Sequence, residues 1–221
     1  TSRSLGVHAT YDWKRVKLRS NIQYVGTDRL EDSRTTVDNY IRKDKSITRS
    51  TNNSRTENNN LVANAFLEWK MDSVTTLIFR PQYRFSANDR ENKGFQEGWG
   101  NDVLLNEKVS SGSSHNSQYN VTMMLQLSRK LSQKGRNVAL KVDYGTNSSS
   151  NDRKNLSTTH YFKNDREDSK NQKIEDDING YNYRVQLVYV EPLLWMHHLQ
   201  LRYSYQYKVN NSDRFVYDWN E

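Results

Sequence analysis

Residues 181–190 and 199–209 alternate between apolar and polar side chains, and this pattern constrains the fold more than any other feature of the sequence. One set is apolar or aromatic throughout: Tyr181, Tyr183, Val185, Leu187, Tyr189, Leu199, Leu201, Tyr203, Tyr205, Tyr207 and Val209. Of the ten intervening residues, eight are polar. A period of two indicates β-strands with one apolar and one polar face. Because the connection is short and contains Pro192, the pattern predicts a β-hairpin.

The two predicted strands have the length that a bilayer requires. Each is about ten residues long, which is roughly what a tilted strand needs to cross the membrane. On the apolar face, Tyr181 and Tyr207 lie away from the turn, whereas Trp195 lies close to it. These are the places where the aromatic girdles of a transmembrane barrel would sit. The pattern therefore predicts a transmembrane hairpin.

Three further hairpins with the same alternation precede this one. The eight predicted strands are 7–13, 16–25, 61–69, 74–86, 117–131, 137–145, 180–190 and 198–209. Lys14-Arg15 is the first short turn, although its side chains suit a primed turn poorly and predict a loop that is slightly longer. Polar segments of about 30 residues separate the hairpins, a loop length that is uncommon in compact soluble domains.

The predicted fold is all-β, with residues 1–221 as one domain. It is an antiparallel, up-and-down segment of a transmembrane β-barrel with about eight strands. Short turns lie on one side and long polar loops on the other, as in outer-membrane barrels. A soluble β-sandwich is an alternative, and it requires two packed sheets. A small complete eight-stranded barrel with a structural or adhesive role is another, and it requires the first and last strands to pair.

A complete eight-stranded ring suits the polar face poorly. Such a ring is only wide enough for its own side chains to fill, and unpaired buried charge is costly. We therefore expect the chain to be part of a larger barrel, with its first and last strands unpaired with each other.

The composition excludes several functional classes. With 33% apolar residues and a mean hydropathy of −1.04, the sequence contains no candidate transmembrane helix. It has no cysteine, and its net charge of +7 is dispersed instead of forming a basic block. We therefore expect no nucleic-acid partner. No catalytic or phosphate-binding motif occurs, and His197-His198 is a solvated turn pair in our interpretation. We expect neither enzymatic activity nor a metal or other cofactor.

Three segments resemble a known family. They are LEWKMDSVTTLIFRP at 67–81, SRKLSQKGRNVAL at 128–140, and YVEPL with the following YSY within 189–205. Each is similar to turn-and-strand motifs of the Bacteroidetes outer-membrane β-barrel family, the barrel portion of TonB-dependent-receptor-like proteins. The resemblance implies a nutrient-uptake transporter in the bacterial outer membrane. It also implies a plug domain and a TonB-type energising protein as partners.

The alternation assigns side chains to two environments. We predict that six apolar residues face outer-membrane lipid: Leu77, Leu125, Leu187, Leu201, Tyr203 and Tyr205. We predict that a basic wall faces the lumen: Arg19, Arg80, Arg84, Arg184 and Arg202. This wall is either solvated, paired with a plug, or a surface that attracts anionic groups of a solute.

Overall fold

The computed structural model describes residues 1–41, 44–132, 135–193 and 197–218. Within these residues, the chain forms a single sheet in which every strand pairs antiparallel with its neighbour in sequence. The strands are β1 (Ser2–Trp13), β2 (Val16–Ile41), β3 (Asp44–Lys70), β4 (Thr75–Gly100), β5 (Val103–Lys130), β6 (Asn137–Tyr161), β7 (Arg166–Pro192) and β8 (His198–Asp218). This confirms the predicted all-β, up-and-down architecture. The described part of the chain contains no helix long and apolar enough to cross a membrane.

The sheet is open. β1 contacts only β2, and β8 contacts only β7, among the residues that the structure describes. The expectation that the first and last strands are unpaired with each other is therefore confirmed. The sheet has no second layer, so the sandwich alternative, which needs two packed sheets, does not apply. Both edges present unpaired backbone groups, which in proteins are normally paired or covered.

The predicted long loops are in fact strands. The polar segments between the predicted hairpins continue the ladder, so most strands contain 25 to 28 residues. In the second segment the reversal falls at Asn101-Asp102, where φ is 47° and 65°. In the third it falls at Phe162–Asp165, with φ of 47° at Asp165. Asn and Asp tolerate positive φ, and two such residues in succession suit a primed hairpin turn.

The turns at the other end are short, as predicted. Lys14-Arg15 alone connects β1 to β2, because Trp13 pairs directly with Val16. The expected longer loop at this position was wrong. In the β3–β4 turn, the carboxylate of Asp72 accepts hydrogen bonds from the amides of Val74 at 2.8 Å and Thr75 at 2.6 Å. These bonds lower the pKa of Asp72, and the bond from Val74 has the larger effect. Trp195, predicted as a girdle residue near the last turn, lies outside the described residues.

Candidate functional site

The strand register aligns apolar side chains in rows across the whole sheet. Directly paired residues lie on the same face of an antiparallel sheet. One row crosses all eight strands: Trp13, Val16, Trp69, Leu77, Leu127, Leu140, Leu187 and Tyr203. The next row is Tyr11, Leu18, Leu67, Phe79, Leu125, Val142, Val185 and Tyr205. We call this side of the sheet the apolar face.

All six residues predicted to face lipid lie on the apolar face. Leu77, Leu187 and Tyr203 belong to the first row, and Leu125 and Tyr205 belong to the second. Leu201 lies one row closer to the turns, paired with Tyr189. The structure thus brings these residues together on one surface. That this surface meets lipid stays a prediction.

Aromatic residues border the apolar face at both ends. Trp13 and Trp69 lie in the row nearest the turns of β1–β4. Tyr24 and Tyr119 lie eight residues further along their strands, in a row that includes Phe85. At about 3.4 Å per residue these rows are roughly 27 Å apart along the strand. A tilt of 35–45° reduces this to about 20 Å of height, near the ~25 Å apolar band of outer-membrane barrels.

On β5 the apolar side chains are more exposed than the polar ones, which is the reverse of a soluble sheet. Met123, Leu125 and Leu127 are 38%, 41% and 40% exposed. The alternating residues Thr122, Met124 and Gln126 are each less exposed than these. No hydrophobic residue is buried among the described residues. The exposure on β5 is that expected of a sheet that curves with its polar face inwards, as the wall of a barrel does.

Two glycines on the polar face lie against asparagine side chains of the neighbouring strands. A Cβ at Gly145 would lie 2.6 Å from Oδ1 of Asn182, and one at Gly180 would lie 2.9 Å from Oδ1 of Asn147. Both positions lie on the polar face, where neighbouring asparagine side chains lie across the glycine. Glycine within a strand typically marks a bend or a close approach of this kind.

The predicted basic wall lies on the polar face. Arg184 shares a row with Asp143, Met124 and Arg80 through successive pairing. The Arg80 guanidinium lies 5.0 Å from the ring centroid of Phe66, a cation–π contact. Arg19 pairs with Phe66 and extends the same row. Arg84 and Arg202 lie on the same face. Arg84 is two rows farther from the short turns than the row of Arg80 and Arg184, and Arg202 is two rows nearer to them.

This wall carries uncompensated positive charge. Within the described residues, none of the five arginines has a carboxylate within ion-pair distance. Arg184 donates to Oε1 of Gln206 at 2.7 Å. Lys141 and Asp143 pair on this face at 3.1 Å. The arrangement can attract anionic groups. On the same face, at the edge strand β1, the Thr10 hydroxyl lies 2.9 Å from Nε2 of His8.

Beyond the aromatic border, the polar face carries a row of amides that the sequence analysis did not find. Thr27, Asn58, Asn88, Asn116, Asn151 and Asp176 are paired in succession from β2 to β7. Asn58 donates to Thr27 at 3.2 Å, Asn88 donates to Asn58, and Asn151 donates to Asp176 at 3.4 Å. Stacked amides of this kind link neighbouring strands. Only the register reveals the row, because along each strand the asparagines look like loop residues.

The described residues contain no group of three His, Cys, Asp or Glu side chains that could hold a metal ion. A pocket of about 500 Å³ lies on the same side of the sheet as the apolar face, beyond the row of Tyr24 and Tyr119. Its lining mixes the charged Arg55, Lys93 and Lys154 with Leu30 and Leu156. Arg55 already binds Asp28 at 3.0 Å, which raises the pKa of Arg55 and lowers that of Asp28.

No family model matches this chain, and no curated protein sequence does. Solved structures with a similar sheet include the RagAB peptide transporter, at 7% identity and a TM-score of 0.34, over 97% of this chain and 33% of that one. The ferric-catecholate import receptor Fiu from K12 E. coli has 7% identity and a TM-score of 0.19, over 97% and 47% of the two chains. OccK10 of Pseudomonas aeruginosa has 7% identity and a TM-score of 0.15, over 99% and 92%.

These three proteins are outer-membrane barrels. The chain spans about a third of the length of the peptide transporter. At this identity and these TM-scores, the similarity carries no information about ligand or activity.

Proposed function

We propose that this chain forms part of the wall of an outer-membrane transporter barrel of the TonB-dependent-receptor type, which serves nutrient uptake in a bacterium. One observation carries the proposal: on β5 the apolar side chains, such as Leu125, are more exposed than the alternating polar ones, such as Gln126, as in a barrel wall whose polar face turns inwards. Water would penalise such a surface at about 25 cal/mol per Å² of apolar area. Lipid on the outside and water or protein on the inside remove that penalty.

The free edges support a wider barrel than eight strands. In hydrocarbon, each unsatisfied backbone group costs several kcal/mol, so an open sheet edge cannot face lipid. β1 and β8 must therefore pair with further strands when the sheet is in a membrane. A wider lumen also leaves room to hydrate the unpaired arginines of the polar face. A plug domain and a TonB-type energising protein follow from the family resemblance alone.

The turns give the orientation. Short turns lie on the periplasmic side of outer-membrane barrels and long segments lie outside. Lys14-Arg15 then faces the periplasm, and the hairpin ends at Asn101 and Asn164 face the exterior. We propose a transport role without catalysis.

Cysteine labelling in intact cells tests location and orientation, because the chain contains no native cysteine. Asn164→Cys should react with a membrane-impermeant maleimide in intact cells. Lys14→Cys, the matched control at the opposite end, should react only after the outer membrane is permeabilised. Equal labelling of both variants in intact cells would contradict the proposed orientation, and a protein that fractionates away from the outer membrane would contradict the location.

The transport role has a separate test. A strain that lacks the protein should lose growth on some limiting nutrient, and a strain that lacks the TonB-type energising protein should show the same loss. Growth on that nutrient that persists without the energising protein would exclude energised transport.

A further inference from the structure

Positive charge collects at one end of the sheet. We define the turn rim as residues 14–15, 70–74, 129–132, 135–136, 191–193 and 197–198. Its described residues include six Lys or Arg against two carboxylates: Lys14, Arg15, Lys70, Arg129, Lys130 and Arg136 against Asp72 and Glu191. Both carboxylates are engaged, since Asp72 accepts the turn amides and Glu191 accepts from Arg136 at 2.8 Å. Arg136 is the main cause of the lowered pKa of Glu191.

The remaining cations of the turn rim are exposed. Arg129 lies on the apolar face, whereas Lys70 and Lys130 lie on the polar face. Within the described residues, Lys14, Arg15, Lys70, Arg129 and Lys130 make no ion pair. The first two turns are joined where the Lys70 amide donates to the Arg15 carbonyl at 2.7 Å. The next are joined where the Lys130 amide donates to the Val74 carbonyl at 2.9 Å.

Apolar side chains lie between these cations. Met71, Val74, Leu131 and Leu193 are 42%, 38%, 47% and 53% exposed. They lie next to the aromatic row that contains Trp13 and Trp69. A surface on which Lys and Arg alternate with apolar side chains, directly beside a lipid-exposed band, is suited to a membrane interface with anionic headgroups.

The opposite end of the same face carries charges of both signs. Beyond the second aromatic row, one row reads Asp28, Glu57, Asp89, His115, Asp152 and Glu175 from β2 to β7. The next row carries the cations Arg55, Lys154 and Lys173 with one carboxylate, Glu91. At the turn rim, in contrast, cations outnumber carboxylates by six to two.

We propose that the turn rim binds the phosphate headgroups of anionic phospholipids in the leaflet that it touches. This inference rests on the proposed function, which places the apolar face in a bilayer and the turns at the periplasmic side. Lys and Arg near a membrane surface attract anionic headgroups, and salt screens the attraction. The occupant is therefore an anionic phospholipid of the periplasmic leaflet.

Trp13 and Trp69 allow a direct measurement, because both lie on the apolar face beside the turn rim. The protein, with its other tryptophans replaced by phenylalanine, is reconstituted into mixed phosphatidylcholine and phosphatidylglycerol vesicles. In one preparation phosphatidylcholine carries bromine on its acyl chains, and in the other phosphatidylglycerol does. The brominated lipid quenches the fluorescence of nearby tryptophan. The ratio of quenching gives the relative association constant. We expect phosphatidylglycerol to be preferred about threefold or more at low salt, and the preference to approach one in high salt.

Paired variants locate the effect. Lys14→Gln with Arg129→Gln should at least halve the preference, whereas Lys93→Gln with Lys154→Gln, which removes equal charge on the same face at the far end, should leave it unchanged. Equal quenching by both lipids in the unsubstituted protein would overturn this inference and leave the barrel proposal intact. The absence of quenching by either lipid would overturn both.

Discussion

At the scale of single residues, the effect of a substitution depends on which face of the sheet carries it. Leu125 and Gln126 are neighbours on β5, but Leu125 belongs to the exposed apolar row and Gln126 to the enclosed polar one. The same new side chain at these two positions therefore enters two different environments. The five arginines of the polar face show that this side already tolerates positive charge.

We predict that Leu125→Arg destabilises the protein in lipid far more than Gln126→Arg does. An arginine on the lipid face costs about 2–4 kcal/mol at the bilayer midplane and about 0–1 kcal/mol near the interfaces, and Leu125 lies between the two; an arginine facing the lumen costs little. The measurement is the urea midpoint for unfolding from vesicles, and comparable losses for the two variants would show that the faces are assigned wrongly.

We also predict that protection of the β3–β4 turn depends on pH. Because hydrogen bonds lower the pKa of Asp72, its ionised form stabilises the turn above the ordinary aspartate value of about 3.9. This contribution is lost as the pH falls through the lower pKa of the folded state. Protection factors for the amides of Val74 and Thr75 should therefore decrease below about pH 4. Asp72→Asn should remove this dependence, and a flat profile in the unsubstituted protein would exclude the role of Asp72.

At the scale of elements, the sequence predicts where the strands cross a bilayer but not where they end. Alternation of apolar and polar residues arises only where one face meets lipid or a core. Beyond the aromatic border both faces meet water, so the pattern disappears while the backbone ladder continues. The sequence does contain turn-forming residues at the far reversals: Asn101-Asp102 and Asn164-Asp165 lie near the middle of segments that the pattern predicts as loops.

The residues of the candidate site also fall into two groups: those that the sequence predicts and those that only the strand register reveals. Successive residues of a strand point to opposite faces, so odd and even positions separate the basic residues from the apolar ones. The sequence was therefore sufficient to place Arg184 and Leu187 on opposite faces. The amide row from Asn58 to Asn151 depends on how four strands are aligned, and no single strand encodes that alignment.

Hydrogen–deuterium exchange tests the strand extensions. We predict slow exchange for residues 46–60, 86–98, 106–117 and 146–160, because these segments pair on both sides. Residues 30–39 of β2 pair only with β3 and should exchange faster. Complete exchange of the four internal segments within seconds would show that they are loops.

At the scale of the whole molecule, the sheet is a single curved layer that is stable only if its surroundings differ on its two sides. Among the described residues it has no buried hydrophobic side chain, so no core of its own holds it together. Backbone pairing between successive strands supplies the continuity. In the proposed barrel, lipid against the apolar face and further strands at β1 and β8 would supply what the described sheet lacks.

The most direct test of this account is nitroxide scanning of β5 in lipid vesicles. Single cysteines are placed at each position of 121–128 in the cysteine-free chain and labelled. Collision rates with oxygen, which concentrates in lipid, and with a water-soluble nickel complex are then compared. We predict that oxygen accessibility peaks at positions 121, 123, 125 and 127 and that the nickel complex never peaks there. Nickel accessibility that peaks at these odd-numbered positions, or the absence of any period of two, would contradict the account.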